Sequence, residues 1–289
     1  MTLQNVLPWI TRAWQSGWAV GAFNAVNMEQ AQAIVWAAEA EQAPVIIQLS
    51  HRALLYAGRG DARAGLEMMA AVGRCAAQGA GVPVSLHLDH GTEEDVLRAL
   101  GLGFTSVMFD AGDLPLAENI TITHRLAAAA HACGACMEAE VGEVPRVGIS
   151  ASMDPHAGLT RPEEAAEFWR AAGVDTLAVA LGSVHAGKAK TAELDLERLH
   201  AIRAQVNGPL VLHGSSGVTD ASLAAGIAGG LAKVNFATQL SQGFTTAVRR
   251  VLSEDPQEVD LRKYLGPGRD GVVAVVRERI RTLGAAGKA

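Results

Sequence analysis

Residues 84–90 read VSLHLDH: a run apolar enough to be buried, ending in an aspartate and a histidine. The same plan returns along the chain. AVGAFN (19–24), VIIQLS (45–50), SVMFDA (106–111), ACMEAEVG (135–142), TLAVALGSVH (176–185), LVLHGSSG (210–217) and KVNFAT (233–238) are each short, apolar and tipped with polar or reactive groups. Most are apolar on both faces, as strands buried in a parallel sheet are. Alanine-rich helical runs lie between them. NMEQAQAIVWAAEAEQ opens on Asn27 as N-cap, and TEEDVLRALGLG opens on Thr92 with Asp95 three residues on. TRPEEAAEFWRAAG offers Thr160 as N-cap, Pro162 in the first turn and Glu163 in the capping-box position. Gly103, Gly173 and Gly230 read as helix stops. Eight strand–helix units predict an α/β fold of the (β/α)₈, or TIM-barrel, type, as one domain over 1–289. The C-terminal part carries additional helix, with DLRKYLGPGR read as a turn before the last one. A doubly wound open sheet is the competing fold, but no G-x-G-x-x-G follows the first strand.

Composition agrees. The 289 residues are 49% hydrophobic and 19% charged, which suits a large core. A net charge of −6 argues against nucleic acid or an anionic membrane as partner. No apolar run reaches the roughly 18–20 residues of a membrane helix, and MTLQNVLPWITRAW lacks the basic start and apolar core of a signal peptide. With three cysteines, an odd number, the chain reads as cytoplasmic. Cys133 and Cys136 form a CxxC that reads as a helix end and a strand start rather than a redox pair. Trp9, Trp14, Trp18, Trp36 and Trp169 fall mostly outside the strands, where some could serve a subunit contact.

In a (β/α)₈ barrel the active site lies at the carboxyl ends of the strands, so the strand tips converge on one mouth. His90, His185 and His213 end the third, sixth and seventh strands. Three imidazoles with an open coordination position make a catalytic divalent site, most often zinc, although cobalt and manganese also accept such ligands. Asp89, beside a ligand, stands where a general acid/base belongs. His87 shares its strand face and reads as structural. Glu138 and Glu140 point to one side of the fifth strand. With Asp110 they form a second, oxygen-rich metal position, hold histidine N–H groups, or make a structural network. HGSSG (213–217) and VNFAT (234–238) occupy the loops where this fold cradles phosphate, with Gly214, Gly217, Ser216 and Thr238 placed to admit and bind an anion.

Set side by side, GAFNAVN, LDHG, MFDAG, EAEVG, LGSVHAGK, LVLHGSSG and KVNFAT resemble the motifs of the class II ketose-bisphosphate aldolases, the fructose- and tagatose-1,6-bisphosphate type. DLRKYLGPGRD and the closing GAAGKA extend the resemblance over essentially the whole chain. It implies a lyase of carbohydrate metabolism that cleaves a ketose 1,6-bisphosphate reversibly to dihydroxyacetone phosphate and an aldehyde. It assigns His90, His185 and His213 to the metal and Asp89 to the C4 hydroxyl proton. Asp110 and Glu140 match positions for a second or displaced cation. Gly214, Ser215, Ser216, Asn235 and Thr238 match the dihydroxyacetone-phosphate site, and Asn24 and Ser50 match substrate contacts. The resemblance also implies a monovalent cation, Na⁺ or K⁺, near the phosphate loops, and a homodimer or homotetramer.

The chain departs from the family in two places. After EAEVG the family continues into a glycine-rich GGxE-type segment, whose glutamate handles the proton on the dihydroxyacetone-phosphate carbon. Here GEVPRVGISASMDPHAG (142–158) leaves only Glu143 and Asp154 as acids, and neither matches. Glu143, directly after the strand glycine, is expected to point away from the mouth. After the sixth strand Ala186 and Lys188 replace a glycine and a common aromatic. These changes keep open a class II aldolase with a different phosphorylated or non-phosphorylated acceptor. A non-catalytic sugar-phosphate binder is the third reading.

Overall fold

A computed structural model describes residues 3–112, 114–144, 158–184 and 190–289. Its strands are β1 (Val20–Asn24), β2 (Val45–Ser50), β3 (Val84–Gly91), β4 (Ser106–Phe109), β5 (Cys136–Val141), β6 (Thr176–Val179), β7 (Leu210–Leu212) and β8 (Leu231–Phe236). They pair in parallel, in chain order, and β8 closes on β1, so the predicted barrel is the barrel observed. A helix α1 (Leu7–Ser16) precedes β1, and α2 (Met28–Glu41) follows it. After β2 come α3 (His51–Ala57) and α4 (Ala62–Ala77). Then α5 (Glu93–Gly101), α6 (Leu116–Ala132), α7 (Pro162–Ala172), α8 (Leu196–Arg203) and α9 (Asp220–Ala228) follow β3 to β7 in turn. Two longer helices, α10 (Thr238–Glu254) and α11 (Leu261–Thr282), complete the chain. Among the described residues no helix is long and apolar enough to cross a membrane.

Local chemistry explains most of the boundaries. Asn27 caps α2 by accepting from the Gln30 N–H, and Thr92 and Asp95 form the reciprocal capping box of α5. Pro162 starts α7, and Gly173 ends it in the left-handed conformation. Thr160 departs from expectation. Its hydroxyl donates to the Val141 carbonyl and accepts from the Ala180 N–H, so Arg161 stands at the N-cap with no side-chain bond. The threonine stitches β5 to the end of β6 because buried backbone groups there need partners.

The N-terminal helix α1 was not foreseen, although Pro8 in its first turn and the helical spacing of the buried Ile10 and Ala13 carry its signal. Gln4 N–H donates to the carbonyl of Val84 at the start of β3, and Asn5 donates to the Gly134 carbonyl just before β5. Both anchors lie at the amino ends of strands, so α1 covers the face opposite the mouth. Of the tryptophans, Trp18 is buried and Trp36 is the exposed one, with the Arg269 guanidinium 4.3 Å over its ring.

DLRKYLGPGR is not a turn. It lies almost wholly within α11, with Pro267 inside the helix. The tertiary contact overrides the proline, whose missing N–H and ring disfavour a helix interior. A side chain at Gly271 would stand 2.6 Å from the Gly243 carbonyl oxygen, and one at Gly268 would stand 2.8 Å from the Phe244 ring. The glycines therefore let α10 and α11 cross at backbone contact. Gly271→Ala is expected to lower unfolding stability by about 1–3 kcal/mol, the usual cost of overpacking. Urea denaturation at fixed metal concentration checks this.

Candidate active site

The mouth is built first by register. Ser50 on β2 pairs with Asp89 on β3, and Asn24 on β1 pairs with Gln48 on β2. These four residues therefore stand at neighbouring levels at the carboxyl ends of three adjacent strands. Asn24 donates from Nδ2 to Asp89 Oδ2 at 3.2 Å and accepts from Gln48 Nε2 at 3.0 Å.

His90 requires more than register. In a regular strand Asp89 and His90 would face opposite sides. Between β3 and β4, however, the pairing runs from Leu88↔Val107 to Gly91↔Phe109, which leaves one extra residue on β3. His90 sits in this bulge with φ 51°, a left-handed conformation uncommon for a non-glycine residue. The bulge turns the imidazole back over the mouth, where Nδ1 meets Asp110 Oδ2 at 2.7 Å. Nε2 then lies 3.7 Å from Asp89 Oδ1. Asp110 follows β4, and its other oxygen accepts from the Gly112 N–H at 3.2 Å.

His213 follows β7 and is fully buried. Its Nε2 faces Glu138 Oε1 at 3.2 Å and its Nδ1 faces Glu140 Oε2 at 2.8 Å. The His90 and His213 rings meet edge-on at 4.9 Å between centroids. Asp89, His90 and His213 each offer one ligand atom, and those atoms lie within 4.8 Å of one another. Asp89 Oδ1 is buried and accepts no hydrogen bond among the described residues, so a cation beside it or a ligand hydroxyl is needed to satisfy it. Two imidazoles and a carboxylate oxygen are a donor set that suits a divalent transition metal. The third expected ligand, His185, lies outside the described residues, as do Asp154, Ala186 and Lys188.

Charge at this site is tightly coupled. Burial alone would raise the Asp89 carboxyl, but the positive fields of His90, His213 and Lys233 prevail and take it down to about 2. Burial opposes a charge on His213, yet the Glu140 and Glu138 carboxylates outweigh it and push the imidazole up to about 10. His90 is also raised, burial being overcome by Asp89 and Asp110. Asp110 is held below the usual carboxylate range, since the hydrogen bond and charge of His90 exceed the cost of burial.

The loops after β7 and β8 meet beside Asp89. Gly214, at φ 65°, enters a short 3₁₀ turn over Ser215–Gly217. The Ser215 hydroxyl donates to the Asn235 carbonyl and so ties the two loops together. Ser216 and Asn235 are buried but border a cavity of about 110 Å³. Thr238, the first residue of the 17-residue helix α10, stands at the same cavity, whose far wall is Asn24, Gln48, Ser50 and Asp89. All seven residues read as substrate or phosphate contacts thus converge here. Gln48 was not foreseen. Its signal was a lone amide in the otherwise apolar VIIQLS before the strand tip. Lys233 was also misplaced: β8 starts at Leu231, so the lysine lies inside the strand and inside the barrel.

Beside the cluster of Asp89, His90 and His213, Glu140, Glu143 and Glu164 line a cleft of about 300 Å³. Glu143 was expected to point away from the mouth, yet it borders the same cleft as Glu140. A larger groove of about 760 Å³ between α10 and α11 contains neither Asp89 nor the two histidines.

Known proteins were compared with this arrangement. A family model described as fructose-bisphosphate aldolase class-II matches residues 4–288. A fructose-bisphosphate aldolase of Thermus caldophilus is 40% identical, covering 97% of each chain. One from Geobacillus stearothermophilus is 38% identical, covering 100% of this chain and 99% of the other. Among solved structures, the YdjI aldolase of Escherichia coli K12 superposes with a TM-score of 0.83 at 32% identity, over 99% of both chains. A barrel with two histidines and an aspartate gathered at its mouth, matched over its whole length, is thus accounted for: this chain belongs to the class II fructose-bisphosphate aldolase family.

Proposed function

We propose that this single-domain barrel cleaves fructose 1,6-bisphosphate reversibly to dihydroxyacetone phosphate and glyceraldehyde 3-phosphate, with His90, His213 and His185 holding one zinc ion per chain. The observation that carries the reading is the meeting of Asp89, His90 and His213 within 4.8 Å, beside a polar cavity under the β7 and β8 loops. Membership of a metal-dependent family whose relatives bear the fructose-bisphosphate name supports it.

A divalent ion at the histidines would supply the electrophile for the substrate carbonyl and the negative charge that develops there. The rest falls to the chain. The backbone at Gly214 and Ser215, the Ser216 and Thr238 hydroxyls and Asn235 bind the phosphate of the ketose half, helped by the amino end of α10. A monovalent cation near these loops would temper the charge of the phosphate. Asn24 and Ser50 hold the substrate against β1 and β2. Asp89, ionised and oriented by Asn24, takes the C4 hydroxyl proton as the C3–C4 bond breaks, and returns it in the condensation direction. Asp110 orients His90, and Asp110 and Glu140 together offer a second, displaced position for the cation. We place the enzyme in the cytoplasm as a homodimer or homotetramer, with no nucleic-acid or membrane partner.

Three kinds of test apply to this reading, and the first is activity. Fructose 1,6-bisphosphate cleavage should vanish with chelator and return with zinc or cobalt. Asp89→Ala should keep the barrel fold and lose at least ~10²-fold in kcat; near-parental turnover contradicts the role.

The second test uses pH. Metal uptake requires His90 and His213 to give up protons. The folded-state value of His213, near 10, means that it is protonated through neutral pH in the metal-free chain. Affinity should therefore climb as pH rises from about 6 to about 8, by up to tenfold per unit for each proton displaced. Chelator competition at each pH checks this, and a flat profile contradicts it.

The third concerns Glu143, which borders the Glu140 cleft. If it replaces the family's loop glutamate, Glu143→Gln slows exchange of the dihydroxyacetone-phosphate carbon hydrogen in deuterated water, together with turnover. Parental exchange removes it from the reaction.

A further inference from the structure

Beneath the mouth, the barrel interior is polar where packing alone would make it apolar. Lys233 of β8 and Glu138 of β5 are both fully buried, on strands that are not neighbours, and they meet across the interior. The lysine Nζ lies 2.8 Å from each carboxylate oxygen. We propose that this pair is a positioning device for His213, fixing its ring so that Nε2 carries the proton and Nδ1 is the nitrogen presented to the metal. The inference rests on the metal reading above.

Counting donors and acceptors leads to this assignment. An ammonium has three N–H donors and no acceptor. Two of those on Lys233 go to Glu138, and the third faces His87 Nε2 at 3.3 Å. His87 Nε2 must then accept, which leaves its proton on Nδ1 to be donated to Ser106 Oγ at 2.7 Å. Burial and the lysine charge agree, lowering His87 to about 3 and keeping it neutral. Glu138 is equally committed. Oε2 accepts from Lys233 and from the Thr176 hydroxyl at 3.1 Å, while Oε1 accepts from Lys233 and faces His213 Nε2 at 3.2 Å. A carboxylate held on both oxygens is an acceptor that cannot turn away, so the His213 proton is directed to Nε2. In the neutral imidazole the lone pair is then on Nδ1, which points up to Glu140 and the mouth. The Ser183 hydroxyl, on the His213 carbonyl at 2.7 Å, fixes the backbone of the same residue.

Stability gives little reason for such a pair. Well-packed apolar residues in place of a buried ion pair are often neutral or stabilising. They could not hold a proton on one chosen nitrogen. Carboxylate partners of metal-bound histidines do that elsewhere, and their loss weakens metal binding by about 10–100-fold.

The test uses the full chain, stripped of metal and titrated with Co²⁺ against a competing chelator. The visible cobalt spectrum and the melting temperature are recorded on the same samples. Glu138→Gln keeps the volume but sets an amide N–H against Lys233 or His213, and Lys233→Met keeps the length but frees the carboxylate. Each should weaken cobalt binding roughly 10–100-fold and alter the ligand-field bands, whether its melting temperature falls or not. Thr176→Val removes a single donor to Glu138 and should give a smaller loss of the same kind; it decides the matter if neither charge variant folds. Parental affinity and an unchanged spectrum in the folded variants would overturn the positioning role while leaving the metal site intact. A parent chain that takes up no cobalt overturns the metal reading, and this inference with it.

Discussion

The contact between Lys233 and Glu138 is the interaction around which the interior of this barrel is arranged. Two charges removed from water are costly unless geometry and further hydrogen bonds compensate. Here the lysine meets both carboxylate oxygens, and Thr176, His87 and His213 take up the remaining valences. Each partner lies on, or directly after, a different strand, so the pair can be satisfied only when the barrel is closed in the right register. The same contact sets the electrostatics one level higher. Burial keeps His87 neutral and the Lys233 charge adds to it; the lysine also adds positive field at Asp89, and Glu138 gives His213 a carboxylate neighbour.

Above that level the working groups depend on a local irregularity. Asp89 and His90 are adjacent in sequence, yet both face the mouth, because the β3 bulge inserts His90 as an extra residue at positive φ. Such a backbone conformation costs of order 1–3 kcal/mol for a non-glycine residue. Its 2.7 Å contact with Asp110 offsets part of that cost and aims the other ring nitrogen at Asp89. Asp110 reaches the cluster through His90, whose hydrogen bond and charge outweigh burial and hold the Asp110 value low. On the opposite side of Asp89, the β7 and β8 loops are tied by the Ser215–Asn235 hydrogen bond beside the first turn of α10. The cluster of Asp89, His90 and His213 and the polar cavity under these loops thus share one wall, which is Asp89.

Much of this was legible in the amino-acid sequence. Strands apolar on both faces, broken by capped helices, determined a parallel closed architecture, since only burial on both sides makes such runs favourable. The recurrence of Asn24, Ser50, Asp89, Asp110 and His213 at or just past strand tips determined which end carries the chemistry, because in this fold the tips share one mouth; the sixth strand, read as running to 185, ends at Val179, and His185 lies outside the described residues. The CxxC also read correctly, as an exposed helix end at Cys133 and a buried first strand residue at Cys136. What the sequence could not determine was anything that depends on partners distant along the chain. Thr160 looked like a cap and became a stitch between β5 and β6. Pro267 looked like a break and was carried through by a glycine-lined helix crossing. Lys233 looked like the start of a strand and proved to be the counter-charge of Glu138, 95 residues away. Periodicity and capping report on neighbours within about a turn, whereas a buried polar group is placed by whichever donor or acceptor the closed fold brings to it. The residue types and their levels in the barrel were therefore local information; their hydrogen bonds, their protonation and the turn of His90 toward Asp89 were decided only when the eight strands met.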